Sequence, residues 1–299
     1  NQFPTFKSKY DRQSFRVPQR VRIEADKLII PKFRGGIKVV VNREIEGEIK
    51  FATISKTTTG KYYASITCEV QHQPYDKTGS SVGIDTGIKD LAILSNGQTY
   101  KNIRSLKTQL KKVKYAQRQL SKKTKGSQSR QRQKRKLALV HEKVANIRRD
   151  YLQKVTTDII KNHDVISIED LAVKNILKNH HLAGAMSDVS LGSFYTLLAY
   201  KAAWHDRTIV KIDRFYPSSK TCSSCGWKKE DLTLSDRTWT CRSCGTTHDR
   251  DLNAAKNILQ QGIKILSGYG SYSDEKQKRG EASLLSESMN PEALLTAWA

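Results

Sequence analysis

Two Cys-x-x-Cys knuckles in the last third of the chain restrict its fold more than any other feature. Fifteen residues separate the knuckles, and a glycine follows each one, which permits the tight turn that a metal knuckle needs. This spacing is typical of a zinc site with four thiolate ligands. Because so short a ribbon has almost no apolar core, we expect the metal to supply its folding free energy. The predicted zinc ligands are Cys222, Cys225, Cys241 and Cys244.

Two disulfide bonds are the alternative use of these four cysteines. We expect no secretory segment, and the fifth cysteine, Cys68, stands alone in a strand-like run. Disulfides are typical of oxidising compartments. The sequence therefore favours reduced thiols, a structural metal and a cytoplasmic location.

A large excess of basic residues indicates a polyanionic partner. The 299 residues include 53 Lys and Arg against 29 Asp and Glu, which gives a formal net charge of +24. Hydrophobic residues make up 37% of the chain, enough for packed cores, but no run is long and apolar enough to span a membrane. No bulky amphipathic anchor accompanies the charge, so we expect nucleic acid, and not a membrane, as the partner.

Residues 1–76 carry short runs of β-branched and aromatic residues separated by Gly, Asp and Asn. The clearest pair of runs predicts a hairpin that turns at a Thr-rich segment ending in Gly60. We predict a small β-barrel, a fold that often binds oligonucleotides. The alternative is a barrel that only packs against its neighbour.

Helical spacing of apolar residues over 101–162 predicts an antiparallel helical hairpin, interrupted by the polar break KKTKGSQS. Acidic residues are nearly absent between Lys101 and Arg149, so the cations there would repel one another unless phosphates neutralise them. We predict that the hairpin faces nucleic acid. An ordinary solvated helix surface is the alternative.

Three acidic residues stand where an unpaired charge would be costly. Asp85 lies in an apolar strand pattern, Glu169 ends a second such pattern, and Asp251 begins an amphipathic helix. Phosphodiester hydrolysis with two divalent ions needs several convergent carboxylates, and Mg²⁺ prefers such oxygen ligands. Strands followed by helices favour an α/β fold of the RNase H type, with the carboxylates on one side of the sheet. Each acid could instead be a helix cap or an ion-pair partner.

Four sequence blocks resemble the TnpB family of transposon-encoded RNA-guided endonucleases and the compact type V CRISPR effectors related to it. In chain order they are GIDTGIKDLA, ISIEDLAVKN, FYPSSKTCSSCG and CGTTHDRDLNAAKNIL. No segment matches the helical recognition region that usually interrupts the family's early barrel. The resemblance implies a wedge-like β-barrel over 1–76, a RuvC-type nuclease over 77–220 with the hairpin inserted at 101–162, a zinc ribbon over 221–247 and a last RuvC segment over 248–267; the tail over 268–299 is predicted to be disordered.

The resemblance also implies the site residues. It makes Asp85, Glu169 and Asp251 the catalytic ligands of Mg²⁺ and the four cysteines the ligands of structural zinc. Asp251 is preferred to Asp249 because it begins the D-x-N-A-A helix motif. An arginine of the ribbon, Arg237 or Arg242, is expected to steady the scissile phosphate.

The activity implied by the resemblance is hydrolysis of double-stranded target DNA after a guide RNA pairs with one strand, while the protein reads a short flanking duplex motif. A nuclease-inactive repressor is one alternative, although it would lack the carboxylates. A transposase or accessory protein of a mobile element, and a junction resolvase that needs no RNA, are the others.

Overall fold

The computed structural model describes residues 8, 11, 13–172, 184, 187–233 and 235–268. The predicted tail beyond residue 268, most of the LAVKNILKN segment and the first residues of the predicted barrel lie outside the described residues. The chain forms two compact units, one made of 1–73 and 109–144, the other of 74–108 and 145–299. The predicted domain boundaries stay predictions.

The strands of the first unit form two three-stranded antiparallel sheets, in the orders β1-β5-β6 and β2-β3-β4. Their inner side chains share one apolar core, in which Leu28 and Ala52 are almost fully buried. The β5–β6 hairpin turns at Gly60, whose φ of +83° suits glycine. Closure into one barrel stays a prediction. The strands are β1 (Ser14–Val17), β2 (Arg22–Glu24), β3 (Lys27–Ile29), β4 (Ile37–Lys38), β5 (Glu48–Lys56) and β6 (Tyr62–Glu69).

Two helices, α1 (Ser105–Ser121) and α2 (Gln128–Asn162), occupy the segment predicted as a hairpin. Helix α2 runs for 35 residues, without Pro or Gly in its sequence. Arg130 Nη1 donates to the carbonyl oxygens of Leu120 and Lys123 at 2.9 and 3.0 Å, which satisfies acceptors at the C-terminal end of α1. About one turn further along α2, Gln133 Nε2 donates to the Ala116 carbonyl at 3.3 Å, so the helices pair antiparallel, as the spacing predicted.

The second unit contains a five-stranded mixed sheet in the order β11-β10-β7-β8-β9. β10 pairs in parallel with β7 and β11, whereas β7, β8 and β9 are antiparallel neighbours. Helix α3 and the second half of α2 pack on one face of the sheet, over Val82, Ile84 and Ile166. The new elements are β7 (Ser81–Thr86), β8 (Asp90–Leu94), β9 (Thr99–Lys101), β10 (Val165–Glu169), α3 (Leu191–Trp204) and β11 (Thr208–Ile212).

A small ribbon follows the sheet and leads into the last described helix. Its strands, β12 (Thr238–Thr240) and β13 (Thr247–Asp249), pair antiparallel and are followed directly by α4 (Arg250–Leu266). Its few apolar contacts centre on Trp239 and Leu232 beside two cysteines. None of the described helices has the length and apolar character needed to cross a membrane.

Candidate active site and cysteine cluster

Two acidic residues lie at or near the ends of neighbouring strands, on the same face of the sheet. β7 and β10 are parallel, and Ile84 is paired with Ile168. The next residue of each strand is Asp85 or Glu169, and the alternation of side chains turns both away from the face that α2 and α3 cover. The strand pairing therefore brings together two carboxylates that are 84 residues apart in sequence.

Helix α4 crosses this face and carries the third acidic residue. A Cβ atom at Gly83 would overlap the Ala255 carbonyl, and one at Gly262 would overlap the Ser167 side chain. Glycine is therefore needed where the helix crosses each strand. Gly83 and Ser167 each lie two residues before a strand carboxylate, on the same face. Asp251 lies about one helical turn before Ala255 and is half-buried.

The pKa of Asp85 depends on the charges of both other acids. Burial, followed by the charge of Glu169 and then that of Asp251, raises the pKa of Asp85 to about 8. Burial also raises the pKa of Glu169, while a hydrogen bond from Ser218 Oγ to Glu169 Oε1, 2.6 Å long, opposes that rise. A bound cation would reduce the repulsion between like charges that are held close together in a partly buried site.

Asp249 and Asp251 have different roles at the start of α4. Asp249 is the N-cap, and its carboxylate accepts hydrogen bonds from the backbone N–H groups of Asp251 and Leu252, at 3.1 and 2.9 Å. The Asp251 side chain is 26% exposed, and Arg237 Nη1 lies 3.8 Å from its Oδ2. Of the two arginines singled out in the sequence, Arg237 is thus at the acidic site, whereas Arg242 pairs with Asp231 at 3.4 Å.

The four predicted zinc ligands come together in the ribbon. Their sulfur atoms all lie within 4.8 Å of one another. The Sγ atoms of Cys222 and Cys244 are 3.7 Å apart, and those of Cys225 and Cys241 are 3.6 Å apart. A tetrahedral zinc ion with Zn–S bonds of about 2.3 Å requires sulfur separations of about 3.8 Å. The quartet therefore fits a zinc ion. In the described part of the chain, the three carboxylates do not form a comparably tight group.

The backbone of each knuckle has the turn that this geometry needs. Gly226 N–H donates to the Cys222 carbonyl, and Gly245 N–H donates to the Cys241 carbonyl, each at 2.9 Å. The φ angles of the two glycines are +79° and +72°, in the left-handed region. The glycines noted in the sequence thus close the knuckles.

His248 is a neighbour of the cysteine cluster that the sequence analysis did not identify. Its Nε2 lies 3.0 Å from Cys222 Sγ, and its ring centroid is 4.8 Å from that of Trp239. Burial lowers the pKa of His248, which favours the neutral ring. Its position in the ribbon hairpin could have identified it, because His248 is paired with Trp239 and paired strand residues share a face.

A cleft of about 470 Å³ opens beside Glu169. Its walls include Lys220 and Lys228, and Phe215, which is 86% exposed, stands at its side. Arg214, also in the wall, pairs with Asp170 at 2.5 Å. The cleft therefore combines cations and an exposed aromatic ring next to the acidic site.

Comparisons with known proteins show which family the chain belongs to. A family model described as "Probable transposase" (OrfB_IS605) matches residues 65–180, and one described as "Cas12f1-like, TNB domain" matches residues 192–258. InsQ of Escherichia coli (strain K12), named "Putative RNA-guided DNA endonuclease InsQ", is 36% identical over 285 residues, which cover 89% of this chain and 70% of InsQ. The chain belongs to the TnpB family.

A second relative, named "Putative RNA-guided DNA endonuclease", comes from Streptomyces pristinaespiralis. It is 42% identical over 211 residues, 71% of this chain. The chain spans about half of that relative, 52% of its length. Among solved structures, the fold is similar to a Cas12f1 protein, described as "Cryo-EM structure of the Cas12f1-sgRNA-target DNA complex". The TM-score is 0.50 at 18% identity, covering 71% of this chain and 45% of that one.

Proposed function

We propose that this TnpB protein is an RNA-guided DNA endonuclease whose RuvC-type site hydrolyses phosphodiester bonds. The observation that carries the proposal is the convergence of Asp85, Glu169 and Asp251 on one sheet face, beneath α4. The relatives named as RNA-guided endonucleases support the same activity. A helix cap does not account for this convergence, because Asp249 already caps α4.

The three carboxylates would hold Mg²⁺, since clustered oxygen ligands suit this ion. Divalent ions bound there supply stabilisation of the attacking water and of the leaving oxygen. Arg237, which lies beside Asp251, is placed to contact the scissile phosphate. Ser218 orients Glu169 through its hydrogen bond.

Zinc is the metal that we propose for the cysteine quartet. Four thiolates at tetrahedral spacing suit this ion, and the small apolar core of the ribbon makes metal binding a condition of its folding. The cleft beside Glu169 would receive a short segment of a DNA strand, with Lys220 and Lys228 near its phosphates and Phe215 available for base stacking.

Guide RNA and target DNA are the proposed partners. The formal net charge of +24 suits both, and the segment 109–144 of the helical hairpin carries 13 Lys and Arg against one acid. Pairing between guide and target would select the sequence, with the protein reading a short flanking duplex motif. The place of action would be the cytoplasm, at the DNA of the nucleoid.

A reprogramming experiment tests the proposal. We expect the protein to co-purify with a guide RNA. Purified protein, Mg²⁺ and a target plasmid are combined with that RNA, or with the same RNA carrying a changed guide end. We expect the cut position to follow the guide end. Glu169→Gln should lose cleavage by at least about 100-fold and keep RNA and target binding, because it removes a metal ligand and no phosphate contact.

Asp170→Asn is the matched control, because the half-buried Asp170 side chain is adjacent in sequence but pairs with Arg214. Site-specific cutting without RNA would replace the proposal with a transposase or a resolvase. Guided binding of the parent protein without any cutting would make the protein a repressor.

A further inference from the structure

Residues 218–223, called the strap below, connect the candidate active site to the cysteine cluster. At one end of the strap, Ser218 Oγ donates to Glu169 Oε1 at 2.6 Å. Near the other end, Cys222 is buried and belongs to the cysteine quartet. A short stretch of backbone therefore joins a candidate catalytic carboxylate to a candidate zinc ligand.

Two buried asparagines of α4 hold the strap along its length. Asn257 Nδ2 donates to the carbonyl oxygens of Ser218 and Thr221, at 2.7 and 2.6 Å. Asn253 Nδ2 donates to the same Thr221 carbonyl at 2.7 Å, while its Oδ1 accepts from Ser223 N–H at 2.9 Å. Both asparagines are 1% exposed, and their spacing of four places them on one helix face.

The Nδ2 group of Asn257, and not its Oδ1 atom, makes the side-chain hydrogen bonds. Its Oδ1 is buried and makes no hydrogen bond among the described residues. An unpaired buried acceptor is destabilising, so leucine, which has a similar size, would be favoured here unless the Nδ2 group were required. The two strap carbonyls that accept from Nδ2 provide that requirement.

We propose that Asn253 and Asn257 are positioning residues for Glu169, acting through the strap, and that the occupied cysteine cluster holds the strap's other end in place. The inference rests on the proposed function, because it concerns the metal ligands named there. Helix α4 then has two tasks: its second residue is Asp251, and Asn253 and Asn257 fix the segment that orients Glu169. Groups that orient a metal ligand typically change metal affinity 10- to 100-fold when they are removed.

Direct metal binding tests the inference without relying on cleavage. Mn²⁺ serves as the probe because it takes the same carboxylate ligands as Mg²⁺. Binding is measured from the EPR signal of free Mn²⁺ with purified full-length protein, and zinc content is measured by elemental analysis. We expect Ser218→Ala and Asn257→Leu to retain zinc and weaken Mn²⁺ binding roughly 10-fold or more. Ser218→Thr, which keeps the hydroxyl group, should restore it.

Two matched controls separate positioning from general damage. Ser219→Ala changes the neighbouring serine of the strap, and Lys264→Gln changes an exposed side chain near the end of α4. Both should bind Mn²⁺ within about 2-fold of the parent. Removing zinc from the parent with a thiol-directed reagent should weaken Mn²⁺ binding as much as Asn257→Leu does.

The inference is overturned if Ser218→Ala and zinc removal both leave Mn²⁺ affinity within 2-fold of the parent's. It is also overturned if Asn257→Leu loses zinc while Ser218→Ala binds Mn²⁺ normally, because the asparagine would then only fold the ribbon. Glu169→Gln separates this result from failure of the proposed function. If Glu169→Gln binds Mn²⁺ as the parent does, the carboxylate site itself is wrong.

Discussion

At the scale of single residues, Asp85 shows what a buried carboxylate in the candidate active site costs in stability. The pKa of this carboxyl is raised to about 8 from an ordinary value near 3.8, mainly by burial and then by its two acidic neighbours. The folded chain therefore favours the protonated form. Protonation of Asp85 contributes stability that is fully present below about pH 4 and is lost as the pH rises towards 8.

Asp85→Asn should remove that pH dependence. In protein that retains zinc but has no added Mg²⁺, the free energy of unfolding of the parent should fall between pH 5 and pH 8, by at most roughly 1.4 kcal/mol per pH unit from this residue. The variant should lose less over the same interval. Urea unfolding at both pH values measures the difference, with the exposed Asp150→Asn as the control. Parallel pH profiles for parent and variant would contradict the raised pKa.

Residue chemistry was easier to predict from the sequence than residue position. The acidic character of Asp85 and Glu169 within apolar strand patterns marked both as candidates, and the cysteine spacing marked the quartet. Ser218 lies in one of the four family-like blocks, but the sequence predicted no role for it. Its hydrogen bond to Glu169 depends on how the strap folds back over the sheet. Such contacts between distant segments are not encoded in local periodicity.

At the scale of helices and strands, the sequence predicted which segments are helices or strands better than it predicted how they are arranged. Apolar spacing predicted the helical hairpin, and alternation predicted β5, β6, β7 and β10. The strand β9 was not predicted, because a run of three residues has no clear period. The order of the five-stranded sheet also could not be read locally, since its central parallel pair joins residues more than 80 positions apart.

The start of α4 allows two neighbouring acids to be told apart. Asp249→Ala removes the N-cap and should lower stability by about 1 kcal/mol, with Mn²⁺ binding retained. Asp251→Ala leaves the cap in place and should abolish most Mn²⁺ binding, because it removes a proposed ligand. Urea unfolding and EPR of the two variants measure both effects. The opposite pattern of metal binding would make Asp249 the third ligand.

At the scale of the whole molecule, charge is distributed very unevenly. The segment 109–144, with 13 basic residues and one acid, carries half of the formal net charge of +24. The single acid, Glu142, is directed to the β5–β6 turn, where Lys61 Nζ lies 2.9 Å from Glu142 Oε2 and the Thr59 hydroxyl donates to Oε1 at 3.2 Å. The cations of this segment therefore have almost no acidic neighbours within it.

A polyanion bound along this segment would release counterions, so the binding constant should fall linearly with salt on logarithmic axes. Each phosphate contact contributes a slope of about 0.7 to 0.9. Lys134→Gln combined with Lys136→Gln removes two exposed charges of α2 and should make the slope for the co-purifying RNA shallower by about 1.5.

Lys256→Gln with Lys264→Gln, two exposed lysines of α4, is the matched control and should leave the slope unchanged. Filter binding over a range of KCl concentrations measures both slopes. Equal slopes for the two double variants would show that the hairpin charge does not contact RNA, and the proposed partner surface would then have to lie elsewhere.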